Sequence, residues 1–227
     1  NLWQVKTWMH QQIVERLGGH QAPLQVIDTM PLPICKVARR FQRRIFRSES
    51  VLEGPRPTKG YCAAKDEDYF GFKGGLRITD YGLIVHAPIL QAYGHDSTCR
   101  DALLTGVEPD TQVVGDAAFL DLERQQELNQ VYQIQLLTPL KSNMQPTPQR
   151  QPFVLPGWTR PIRRLIETVY AQRVERFHVQ ALKVRDAWHL NNLWVTKILA
   201  HSICVWLNLR AHRNPLDFDG LVVFEKT

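Results

Sequence analysis

The sequence lacks the residues that would build a metal knuckle or a disulfide framework. Its four cysteines, Cys35, Cys62, Cys99 and Cys204, lie far apart, and no C-x-x-C pair occurs. That spacing argues against a zinc ribbon, and four free thiols suit a reducing, cytoplasmic setting. The eight histidines form no H-E-x-x-H or similar ligand spacing and read as structural or surface residues. No apolar run approaches the ~20 residues a membrane span needs. No signal peptide opens the chain and its first residue is Asn, so the expectation is a start inside a longer protein. No internal repeat is visible.

What is present is a chain of 227 residues, 44% of them hydrophobic, enough for one domain of good size with a real core. That composition excludes a disordered tail. Lysine and arginine outnumber the acids 28 to 22, for a net charge of +6. The charge is clustered. Lys36 to Arg47 holds Arg39, Arg40, Arg43 and Arg44 as well as its two end residues, and Arg160, Arg163 and Arg164 form a second group. Such patches suit a polyanion partner; a solvated basic face is the alternative.

Trp3, Val5, Trp8, Met9, Ile13 and Leu17 recur at near-helical spacing, and Gly18-Gly19 closes that helix. Leu24 to Thr29 reads as a buried strand ending near Asp28, with Pro31 and Pro33 expected to break its pairing. A short helix is expected in the basic segment 36–47, then a flexible loop over 48–60. Residues 70 to 90 read as a hairpin turning at Asp80-Tyr81-Gly82. A helix capped by Asp96 or Ser97 follows. Val113-Val114-Gly115-Asp116 reads as a strand, Asp121 caps a helix to about Tyr132, and Ile134 to Leu137 is the next strand. Strand, helix, strand with short joints predicts a parallel βαβ unit. Ile162, Leu165, Ile166 and Val169 make the apolar stripe of a helix that starts at Thr159-Arg160-Pro161, with Glu167 off the stripe. A last long helix, about Trp188 to Leu209, is apolar on most sides and reads as buried; Leu221 to Phe224 is a strand or an ordered tail.

This order fits an α/β fold with a mixed sheet whose first strand is central. The hairpin lies on one side, the parallel strands on the other. Asp28 and Asp116 would then end neighbouring parallel strands about 4.8 Å apart. Two carboxylates that close repel unless a cation neutralises them, and oxygen-only ligands favour Mg²⁺ or Mn²⁺. Glu167, arriving on a helix with Arg163 on its face, would complete a site for phosphodiester chemistry. Each acid alone has a plainer reading, as a loop cap or half of a helical salt bridge. Asp80, Asp96, Asp101, Asp110, Asp121 and Asp186 compete, Asp96 most of all.

Val26 to Pro31, Tyr69 to Lys73, His95-Asp96-Ser97, Val113 to Asp116, Ile134 to Pro139, Arg164 to Thr168 and Lys183 to His189 occur in an order and spacing that resemble the DDE transposases of bacterial insertion sequences. The likeness is to the insertion-sequence family numbered nine-eight-two in particular. It implies a ribonuclease-H-like core of five mixed strands flanked by helices, closed by a buried C-terminal helix. It divides the chain into the end of an N-terminal helical region (1–20), a DDE catalytic domain (21–182) and a C-terminal helical extension (183–227). It implies that Asp28, Asp116 and Glu167 are catalytic and hold two Mg²⁺ ions, with Mn²⁺ able to substitute. Water would cut at an element end, and the freed 3′-hydroxyl would attack target DNA.

The partners so implied are double-stranded DNA, as terminal inverted repeats and target, and a second copy of the chain on that DNA. The location is cytoplasmic and nucleoid-associated, with no membrane. Arg39, Arg40, Arg43, Arg44, Lys73, Arg163 and Arg164 are the expected DNA contacts. Related enzymes often place a Tyr, an Arg and a Lys around the glutamate. Arg163 fits the arginine place, while Arg160 and Val174 stand at the other two. Gly74-Gly75 also departs from the pattern and is expected to bend its strand. A metal-dependent nuclease of the same fold and a non-catalytic DNA-binding remnant are the rival expectations.

Overall fold

The structure, a computed structural model, describes residues 1–37, 46, 56–62, 66–94, 96–157, 160–179 and 184–221. In chain order the elements are α1 (Leu2–Arg16), β1 (Leu24–Lys36), β2 (Thr58–Cys62), β3 (Glu67–Thr79), β4 (Ile84–His86), β5 (Ile89–Gln91), α2 (Asp96–Leu104), β6 (Gln112–Val114), α3 (Leu122–Tyr132), β7 (Gln135–Leu137), α4 (Arg160–Glu175) and α5 (Ala187–Arg210). The strands form one mixed sheet in the order β2-β3-β1-β6-β7, with β4 and β5 also pairing with β3. β1 is central, antiparallel to β3 and parallel to β6, and β6-α3-β7 is the expected parallel crossover. The architecture is that of a ribonuclease-H-like core closed by a long C-terminal helix.

Local chemistry accounts for the joints. Asp121 caps α3 by accepting from the Arg124 N–H, and Asp186 caps α5 by accepting from the His189 N–H at 2.8 Å. The α4 stripe packs as its period requires: Ile166 and Val169 are buried, with Ile162 and Leu165 beside them. They cover one sheet face together with Val26, Met30, Leu76 and Trp194. Ile27, Val113 and Leu136 alternate to the other face, under α2 and α3.

Three expectations change. β1 does not stop near Thr29 but runs through both prolines to Lys36, so Asp28 lies mid-strand. The reason is directional. The Pro23 carbonyl accepts from the Gln112 N–H, so odd-numbered residues of β1 turn their backbone groups toward β6. β6 ends at Val114, opposite Val26, and the missing N–H groups of Pro31 and Pro33 therefore face a side with no ladder to donate to. Second, part of the expected loop over 48–60 is edge strand β2, paired along Thr58↔Gly71 to Cys62↔Glu67. The proposed helix in the basic segment lies outside the described residues from 38 to 45, as does most of the apolar tail, 222 to 227.

Third, Gly74-Gly75 does not interrupt the β1–β3 ladder, where Met30↔Gly74 and Thr29↔Gly75 stay in register. The glycines make room. A Cβ at Gly74 would lie 2.3 Å from Trp194 Cη2 and 2.9 Å from Leu32 Cδ1, and one at Gly75 would lie 2.8 Å from Leu103 Cδ2. Trp194 is pinned in place by its indole N–H, which donates to the Ala87 carbonyl at 2.8 Å. Gly74→Ala is therefore expected to destabilise the fold by about 2 kcal/mol, read as a lower urea midpoint. An unchanged midpoint would refute this packing account.

Candidate active-site cleft

Where β6 stops, β1 continues paired with β3 alone, and a crevice opens on its other side. The ladder ends at Val26↔Val114, and the same register carried two residues further sets Asp28 beside Asp116. Both acids line a cleft of about 490 Å³ with Thr29, Met30, Pro31, Tyr61, Cys62, Tyr69, Lys73, Ala118 and Phe119. The two aspartates predicted to meet thus share one cavity. It lies beyond the carboxyl end of β6, where open α/β sheets place their ligands. Only β6, not β1, ends there.

Asp116 is held by its backbone role. Its side chain accepts from the Ala118 N–H at 2.8 Å and caps the short helical turn Ala117–Phe119. Asp28 Oδ1 accepts from the Thr29 N–H at 2.7 Å. By strand alternation Asp28 shares the sheet face of Val26 and Met30, which α4 covers. Lys73, which pairs with Pro31, also lines the cleft and donates to the Gly94 carbonyl at 3.0 Å.

Glu167 is exposed on α4 and does not line the cleft. Among the described residues no three His, Cys, Asp or Glu side chains stand together as a metal-binding group. The two aspartates offer only oxygen donors, which fits a hard divalent cation, and Glu167 does not join them in lining the cleft. Tyr170, one turn beyond Glu167, lies within electrostatic reach of Asp28. Burial, and then the Asp28 charge, push its phenol well above its ordinary pKa. Its hydroxyl is enclosed without a hydrogen-bond partner among the described residues.

Of the competing acids, Asp186 caps α5, and Asp101 and Asp121 have structural work as well. Buried Arg100 bridges Asp101 and Asp121, each at 3.1 Å, which ties α2 to the start of α3. Of the expected DNA contacts, Lys73 is in the cleft and Arg164 is exposed on α4. Arg39, Arg40, Arg43 and Arg44 lie outside the described residues, as do the side chains of Arg163 and Asp96.

The sequence reading missed Tyr61, Tyr69 and Arg173. Tyr61 lies on β2, whose first residues it took for loop, and Tyr69 lies on β3 opposite Gly60. Arg173 reads as a surface residue of a basic helix, yet it is fully buried. Its guanidinium stacks 4.1 Å from the Trp194 ring and has no hydrogen-bond partner among the described residues. Burial lowers its pKa to about 10, so it stays charged at neutral pH. No helix among the described residues is long and apolar enough to cross a membrane.

A family model described as a transposase DDE domain matches residues 18–185, a span that holds Asp28, Asp116 and Glu167. No curated protein and no solved structure matches the chain.

Proposed function

The chain belongs to the transposase DDE domain family, and from that premise we propose that it moves an insertion sequence by metal-dependent cleavage and strand transfer of DNA. The observation that carries this reading is that Asp28 and Asp116, each two residues beyond the last β1–β6 pair Val26↔Val114, line one cleft. In the proposal these two side chains hold Mg²⁺, with Mn²⁺ able to replace it. When bound, the metal supplies Lewis-acid activation of the attacking oxygen and neutralises charge on the leaving one. Glu167 is the proposed third ligand. What supports this is that α4, the helix of Glu167, packs against β1, and that Tyr170, one turn further along it, senses the Asp28 charge. Binding of DNA and metal then has to draw the exposed carboxylate inward.

Lys73 at the cleft wall, Arg163 and Arg164 on α4, and Arg39, Arg40, Arg43 and Arg44 are the proposed phosphate contacts. Their contribution is independent of base sequence and falls with salt. Joining two element ends calls for a second copy of the chain on the DNA. The element is proposed to be of the insertion-sequence family numbered nine-eight-two.

The test is Mn²⁺-dependent nicking of supercoiled DNA by the wild type and by Glu167→Gln, followed by a strand-transfer assay on paired ends. Wild-type nicking that falls about 10³-fold in the variant, with circular dichroism unchanged, is expected. Equal nicking by both would remove Glu167 from the site. Nicking without joined products would leave a nuclease, and no nicking by the wild type would leave a DNA-binding protein.

A further inference from the structure

The chain has a second cavity, of about 340 Å³, that shares no lining residue with the cleft. It is built around Arg77 and His86, direct partners in the β3–β4 ladder, whose side chains therefore leave the sheet on the same face. Both reach the end of α2. His86 donates a ring N–H to the Ala102 carbonyl, and Arg77 donates from its two terminal nitrogens to the carbonyls of Leu103, Thr105 and Gly106. His10 arrives from α1 and donates to the Ile84 carbonyl, two residues before His86. His20, Thr7, Gln11 and Thr105 also line the cavity, and no aspartate or glutamate does.

Arg77 is the unusual member. It is 1% exposed, and burial lowers its pKa only to about 10, so a full cation sits beside a cavity without an acid. Its Nε–H is enclosed and has no hydrogen-bond partner among the described residues. The three carbonyls meet its terminal nitrogens but carry only partial charge. Buried cations and buried donors are normally paired. An oxyanion supplies both the missing charge and the missing acceptor. The two histidine rings add to this. Each uses Nε2 as a donor to a carbonyl, so the neutral ring keeps a bare Nδ1. A proton on Nδ1 makes a second donor there without breaking the first bond.

We propose that this cavity binds one small oxyanion, held by Arg77 and by His10 and His86 as they take up protons. The titratable groups that face it are His10, His20, Arg77 and His86, while α5 contributes Val195 and Ile198, and the end of α2 Thr105 and Gly106. Every charge among them is positive or becomes so in acid. The anion is a free one. Arg77 and His10 are 1% and 8% exposed, too recessed for a phosphate on a duplex backbone.

The probe is inorganic sulfate, whose charge is constant between about pH 8 and 6, titrated into the full chain against chloride at equal ionic strength. Calorimetry is expected to show one site per chain that tightens about tenfold from pH 8 to 6, with protons taken up from the buffer. His86→Asn, which keeps a donor for the Ala102 carbonyl and cannot be charged, should reduce that gain to about threefold. Arg77→Met should abolish binding; if it does not fold, His86→Asn alone decides. No sulfate binding by the wild type at pH 6, binding retained in a folded Arg77→Met, or a pH gain in His86→Asn equal to the wild type's overturns the site. A short DNA duplex that displaces the sulfate one for one also overturns it, since the cavity would then belong to the DNA surface.

Discussion

Asp28→Asn and Asp116→Asn are each expected to lower Mg²⁺-dependent DNA nicking by about 10³-fold. The two side chains line one cleft at matched register, so each removes half of the paired negative charge available to a cation. The double variant is expected to be no worse than either single one, because residues that act as a unit do not add. A second readout separates ligand loss from misfolding. Mg²⁺ binds the folded state, so it should raise the melting temperature of the wild type, and in both variants that rise should vanish. Asparagine is the informative replacement at Asp116. It keeps an oxygen that can accept from the Ala118 N–H and preserves the cap, whereas alanine also loses about 1 kcal/mol of capping. Nicking within tenfold of wild type in either asparagine variant would exclude that aspartate as a metal ligand.

The placement of those aspartates was legible because it depends on short-range rules. Gln112–Val114 and Gln135–Leu137 are short apolar runs around a capped helix, and a βαβ unit so built must be parallel. The apolar stripe of α4 likewise told which side of that helix enters the core. What failed depended on neighbours distant in sequence. Pro31 and Pro33 look like strand breakers, yet they are harmless where β6 has already ended. Thr58–Cys62 has the composition of a loop and becomes a strand only because β3 offers it an edge. Gly74 signals a bend until Trp194, 120 residues further along, is seen to need the space.

Arg173 is the clearest case of a residue that sequence could not place. A charged side chain on a basic helix is normally solvated, and burying a cation without an anion costs several kcal/mol. Here the Trp194 ring takes the place of the missing anion, and the indole itself is fixed by Ala87. Glu167 shows the converse. Its spacing from the aspartates, read through the family likeness, predicts convergence, but its helix leaves it in solvent. Helical periodicity says which residues share a face and does not say how far a helix must shift to deliver one of them.

Acid is expected to unfold this protein unusually early, above about pH 4, because two buried histidines, His10 and His201, and half-buried His86 are held as neutral rings. His10 donates a ring N–H to the Ile84 carbonyl at 2.9 Å, and His86 donates one to the Ala102 carbonyl at 3.1 Å. Both line a cavity of about 340 Å³ shared with His20 and buried Arg77. Burial brings His10 and His86 down to about 4, helped at His10 by His20, and at His86 by Arg77, His10 and His20. His201 on α5 lies between Phe177 and Phe218, and burial, with Arg173 and His10 behind it, brings it to about 3. The sign follows from where the protons go. Below the unfolded value near 6.5 the unfolded chain takes up protons that the folded rings refuse, so stability falls as pH drops. The loss stops growing only below the folded values. Together the three rings then cost on the order of a few kcal/mol, a large share of the ~5–15 kcal/mol margin of a typical domain. Urea midpoints measured between about pH 7 and 4.5 should fall steeply, with a slope near three protons. His86→Asn, which keeps a donor for the Ala102 carbonyl but cannot be protonated, should remove about one of them. A midpoint that stays flat across that range would mean that these rings are solvated, and that α1 and α5 do not seal them from water.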